Sequence, residues 1–232
     1  VTSRRTIRHG EVSLVLHALA GARPGPRVLL LHELHGSSDV WGADLDAWRG
    51  EIFALDFAGH GASGWRAGGA YSPELFAADA DAVLQELGTC VLAGAGIGAY
   101  VALLIAGTWP DLVPATLLLP GAGLDGVALP DVDLALGWME SIAELEVARP
   151  LARAGRAADP LVATCTKDPR PADYAVAFAL AARRLLLLED GEPRPAWWEA
   201  VRATPAAGVV RGSRGDAFAR LSMDAGNAGS PR

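Results

Sequence analysis

The stretch Val91 to Ala102, V-L-A-G-A-G-I-G-A-Y-V-A, decides the fold. Cys90 to Ala93 reads as a short buried strand, Gly94 to Gly98 as a tight turn, and Tyr100 to Gly107 as an apolar helix. Downstream, Trp109-Pro110-Asp111 stops that helix before a second buried-type strand, Ala115 to Leu119. Upstream, Ser72 before Pro73 supplies a cap and first-turn pair for a helix reaching Leu87, with Leu75, Phe76, Ala80, Val83, Leu84 and Leu87 at helical period. Further upstream, Glu51 to Asp56 is a strand ending in the glycine loop F-A-G-H-G-A-S-G. Before it, Ser37-Ser38-Asp39 offers a cap to Val40, Trp41, Leu45 and Trp48. Arg27 to His32 and Glu11 to Ala20 supply the first strands. Strand alternating with helix predicts an α/β protein with a mostly parallel central sheet covered on both faces.

Beyond Gly121 the pattern changes. Up to Arg184 the chain shows no equally clear strand and reads as loops and helices, including Leu134 to Val147 and Ala172 to Arg184. Leu185 to Leu188 and Gly208 to Arg211 then restore strands, with Ala196 to Arg202 helical between them and Asp216 to Leu221 after them. The expected division is a core over 1–124, a helical lid over 125–184, a second core segment over 185–224, and a disordered tail over 225–232.

Composition sets the outer bounds. At 51% hydrophobic and 20% charged, 232 residues can bury a substantial core, so bulk disorder is excluded. The net charge of −7, with nineteen Arg and the single Lys167 scattered without a patch, argues against nucleic-acid partners. Two cysteines, Cys90 and Cys165, give neither a disulfide framework nor a metal site. No apolar run approaches a membrane span, so the expectation is a cytoplasmic, cofactor-free, metal-free protein that meets a small molecule. A homodimer is left open. The five histidines, His9, His17, His32, His35 and His60, all lie in the first quarter, which excludes chemistry that needs a late histidine.

Four segments in order resemble the α/β-hydrolase superfamily, in its lid-bearing branch of esterases, epoxide hydrolases and cofactor-free lyases. Leu29 to Trp41, L-L-L-H-E-L-H-G-S-S-D-V-W, resembles the strand and HG oxyanion loop. Leu55 to Ser63, L-D-F-A-G-H-G-A-S, resembles the D-x-x-G-x-G-x-S loop. Val91 to Ala102 is similar to the nucleophile elbow, and Thr108 to Leu119 to the helix end and strand that follow it.

The resemblance implies a nucleophile at the centre of a G-x-S-x-G frame, but here the frame reads Gly94-Ala95-Gly96-Ile97-Gly98 and the central Gly96 has no side chain. No acyl-enzyme can form through it. The family histidine position, in Arg211-Gly-Ser-Arg-Gly-Asp216, holds Asp216, and Glu189, Asp190 and Glu192 are the candidates for the acid. The resemblance also implies oxyanion amides at Ile97 and at Glu33 or Leu34, of which Leu34 is preferred. Glu33 stands where the family usually has glycine and brings a negative charge beside that site.

His35 in the oxyanion loop, Asp56 and Asp216 are the candidate proton carriers. His32 and His60 read as structural, and His32, Glu33 and Trp138 as pocket residues. These readings predict a small, largely apolar ligand and either non-covalent chemistry of lyase, cyclase or isomerase type or no catalysis. Two alternatives accompany this: an active hydrolase with a displaced catalytic set, and a dinucleotide-binding oxidoreductase using Gly94-Ala-Gly-Ile-Gly-Ala99.

Overall fold

The structure, a computed structural model of the chain, describes residues 3–20, 24–42, 45, 48–125, 138–167 and 170–228. Among them eight strands form one sheet: β1 (Ser3–His9), β2 (Val12–Ala20), β3 (Val28–Leu31), β4 (Ile52–Asp56), β5 (Val91–Ala95), β6 (Thr116–Leu119), β7 (Leu185–Glu189) and β8 (Ala207–Arg211). Their order is β1-β2-β4-β3-β5-β6-β7-β8. The β1–β2 hairpin and the β2–β4 pair are antiparallel, and every later pair is parallel. Strand β3 is buried at all four residues, as a strand covered on both faces requires.

The helices are α1 (Pro73–Leu87), α2 (Ile97–Thr108), α3 (Trp138–Ala154), α4 (Ala172–Ala181), α5 (Ala196–Arg202) and α6 (Arg214–Ala228). One face of the sheet packs with Leu29, Leu31 and Leu92 against α1, α2, α4 and α5. The other packs with Val28, Leu30, Val91 and Ala93 against Trp41, Trp48 and, from α6, Phe218 and Leu221. Helix α1 starts as its sequence dictates: the Ser72 hydroxyl accepts from the Leu75 amide and Pro73 follows at the first turn.

Three expectations change here. Helix α4, inside the span read as a lid, packs on α2 so closely that a Cβ on Gly107 would lie 2.6 Å from the Phe178 backbone. It therefore belongs to the layer covering the sheet. After Ser37 the expected helix is replaced, over the described residues, by a short 3-10 turn, Ser38–Val40, followed by extended backbone at Trp41, and residues 43, 44, 46 and 47 lie outside the described residues. The sequence predicts disorder from 225, but α6 continues to Ala228 with Ala225 buried, because its apolar stripe reaches that far. Residues 229–232, and 126–137 at the start of the expected lid, lie outside the described residues.

Candidate active site

The turn between β5 and α2 has the backbone of a nucleophile elbow without its side chain. Gly96 sits at φ 55°, ψ −122°, which a β-carbon disfavours. Its neighbours in the frame are glycines for another reason: a Cβ on Gly94 would meet the Gly98 carbonyl oxygen at 2.1 Å, and one on Gly98 the Leu31 oxygen at 2.1 Å. Helix and strands pack backbone to backbone here.

The expected oxyanion amides do converge on one oxygen. Leu34 N–H and Ile97 N–H both donate to the Ala122 carbonyl, at 3.1 and 2.9 Å. The acceptor is thus the chain's own backbone, and a Cβ on Gly96 would lie 2.1 Å from it. Glu33 fastens this segment by accepting the Ala122 N–H at 2.8 Å. The free space against Gly96 is about 10 Å³, less than a ligand needs. It offers no room for a dinucleotide pyrophosphate either, so the oxidoreductase alternative finds no site at these glycines. Removing the staple should be measurable: Glu33→Ala is expected to cost about 1–3 kcal/mol and to speed hydrogen exchange at the Leu34 and Ile97 amides. Urea unfolding and exchange rates check both.

His32 is structural. Its Nδ1 donates to the Glu33 carbonyl at 2.7 Å and its Nε2 accepts from Phe57 N–H at 3.1 Å, so the ring is neutral and fully engaged. Burial drives its pKa down to about 4, and the Glu33 carbonyl and the Asp56 charge offset this only in part. The unfolded chain, with an ordinary value of 6.5, takes up the proton first. His32 stability is therefore present above pH 6.5 and lost as the pH falls towards 4, by about 3 kcal/mol. Urea midpoints near neutrality and at the acid end should show it, and His32→Gln should flatten the slope. His60 is also neutral, its Nδ1 donating to the Ala58 carbonyl and its Nε2 accepting from His35 N–H.

The large concavity lies beside the elbow, at the carboxyl ends of β3 and β4, as an open cleft of about 1050 Å³. His35 and Asp56 line it; Asp216 and the residues of the elbow do not. Asp216 instead forms a reciprocal cap with Ser213, accepting from its N–H and hydroxyl at 2.8 Å. Its exposed carboxyl is lowered by those bonds. The three acid candidates are elsewhere too: Glu189 faces Arg202 and Arg211, Asp190 pairs with Arg194, and the Glu192 N–H bonds Asp190. Trp138 begins α3, but its side chain is outside the described residues.

A residue that the sequence did not single out completes the cleft. His17, on β2, places Nε2 2.9 Å from Asp56 Oδ2. Asp56 also accepts from Ser38 N–H at 2.7 Å and Ala62 N–H at 2.9 Å. Burial alone would raise this carboxyl, but the two amides and His17 outweigh it and leave its pKa lowered. Asp56 is thus a charged acceptor that fixes the proton of His17 on Nε2 and leaves Nδ1 without a partner among the described residues. Arg4, opposite His17 in the β1–β2 register, lines the same cleft. His35, at φ 61°, is exposed on its rim, and its pKa is lowered by burial of part of the ring.

The architecture has solved counterparts over nearly its whole length. A thioesterase domain from the curacin biosynthetic pathway superposes with a TM-score of 0.69 at 19% identity, covering 95% of this chain and 98% of its own. A hydrolase from Pseudomonas aeruginosa PA01 does so at 0.65 and 20% identity, covering 90% of each chain. The chain has the α/β-hydrolase fold.

No protein-family model matches this α/β-hydrolase-fold chain. An esterase of Mycobacterium tuberculosis is 34% identical over 100 residues, 42% of this chain and 34% of its own length. The chain thus spans about a third of the length of that curated relative. These likenesses overturn the expectation of a silent protein or one confined to lyase, cyclase or isomerase chemistry. The relative that shares sequence is an esterase, and the solved counterparts carry thioesterase and hydrolase names. Among the described residues, no helix is long and apolar enough to cross a membrane.

Proposed function

We propose that this chain hydrolyses esters with a catalytic set displaced from the elbow into the neighbouring cleft. The observation that carries this is the His17–Asp56 pair at 2.9 Å, on the wall of a cleft of about 1050 Å³, with the second ring nitrogen without a partner among the described residues. A base within hydrogen-bond distance of an orienting carboxylate is the arrangement that activates a hydroxyl or water at neutral pH. Gly96 supplies no nucleophile, and the proposed step uses water in that role.

In the proposed step His17 Nδ1 removes a proton from a water molecule as its oxygen bonds to the ester carbonyl carbon. Asp56 stabilises the imidazolium that results. Arg4 faces the oxyanion of the tetrahedral intermediate. Collapse breaks the bond to the alcohol oxygen, which takes the proton back from His17, leaving a carboxylic acid and an alcohol. The relatives support the reaction class, and the cleft supports its location. The expected result is release of 4-nitrophenol from activated esters above the uncatalysed rate, following this chain through purification. A folded, pure protein that turns over no ester or thioester of a broad panel would contradict the proposal.

A further inference from the structure

We infer that the cleft takes an anionic substrate, an ester whose acyl or alcohol part carries a carboxylate or phosphate that Arg153 and Arg156 hold. This rests on the hydrolase reading above and narrows its substrate class.

The first observation is an imbalance of charge. The chain carries a net −7, yet the last turn of α3 and the residues just after it bring two arginines to the cleft, Arg153 and Arg156. Neither pairs with a carboxylate among the described residues. The contrast with Arg149, one turn earlier on α3, is direct: that side chain is taken by the buried Asp159, at 2.8 Å from Oδ2 and 3.1 Å from Oδ1. The same helix therefore spends one arginine on an internal ion pair and leaves the next on the cleft.

The second observation is preorganisation. The Arg153 guanidinium carbon lies 4.6 Å from the ring centroid of Trp65, which also lines the cleft. A guanidinium held over an aromatic face is restrained there while its N–H donors remain able to meet a carboxylate or phosphate with two bonds. Arg156 stands at φ 56° just past the helix end, where glycine or asparagine is the residue the backbone favours.

The acids of the cleft do not cancel this pair. Asp56 is occupied by His17, Ser38 and Ala62, and Asp39 lies on the Ser37–Val40 side of the cleft, in the loop after β3. At about 1050 Å³ the cleft also holds far more than a two-carbon ester, which leaves room between the His17 wall and the 153–158 wall for an acyl chain.

Binding tests this independently of turnover. Calorimetric titration of the full chain with phenyl phosphate and 3-phenylpropionate, against neutral 3-phenylpropanol, should show at least one anion about tenfold tighter at low salt. The lead should shrink in concentrated salt and should fall to near parity in the Arg153→Gln/Arg156→Gln variant, whose fold is checked by circular dichroism. The anion that leads identifies the headgroup. An alcohol bound as tightly as both anions, or a lead that survives in the double variant, would overturn the inference. Anions that bind as expected to a protein that hydrolyses nothing would remove the hydrolase reading alone.

Discussion

Replacing His17 by alanine is expected to lower kcat/KM for an activated ester by about 10²- to 10⁴-fold, the range that general-base catalysis supplies. The loss should fall mainly on kcat, because the ring acts on the water and its proton rather than on the bound substrate. Added imidazole should restore part of the rate, since the cleft is open and Asp56 remains to orient a ring placed there. A purely structural histidine would show no such rescue. Folding should suffer less than activity: Asp56 loses one of its three donors and keeps Ser38 and Ala62. Asp56→Asn differs in kind. Its amide cannot accept from both backbone N–H groups and from His17, so it should lower both the rate and the stability, the latter by about 1–3 kcal/mol. Steady-state kinetics with and without imidazole, beside urea midpoints, separate the two.

Restoring the expected nucleophile should fail. Gly96→Ser is expected to destabilise the fold by about 3 kcal/mol, from a β-carbon in a disfavoured conformation and from displacement of the two bonds that the Ala122 carbonyl accepts. The clash is with backbone: the Ala122 oxygen lies 2.1 Å from the position of the new Cβ. If the variant folds, its serine should not react with a fluorophosphonate probe. Both nitrogens of His32 and of His60 are engaged and the family histidine position holds Asp216, tied to Ser213, so none of these three is placed to activate it. An unchanged urea midpoint would mean that the 121–122 segment does not pack on the elbow as described.

The core of the fold was legible because its signals are local. Apolar runs such as Val28–Leu31, the Ser72-Pro73 cap and the glycine frame each act within a few residues, and the parallel sheet follows from their alternation. The empty elbow was equally plain, since Gly96 is a single position. His17 was not legible, because its role depends on strand order. It looks like one polar residue in a half-buried strand until β2 pairs antiparallel with β4, setting Val15 opposite Asp56 and His17 opposite Ala54. Only that register brings imidazole and carboxylate together from positions far apart in sequence. Glu33 was visible as an anomaly, but its partner, the Ala122 amide, comes from a loop after β6 that no local pattern connects to it. Asp216 was the reverse case: a residue in a family position whose local capping chemistry takes precedence, three residues from Ser213.

In the proposed mechanism water, activated by His17 in the cleft, attacks the ester directly. The intact mass of the protein, quenched during turnover of a slowly hydrolysed 4-nitrophenyl ester, tests it most directly when the His17→Ala rate is measured alongside. Unmodified mass in the wild type, with the rate nearly abolished in the variant, is the predicted result. A protein carrying an acyl group during turnover, or a His17→Ala variant that keeps the wild-type rate, would contradict it.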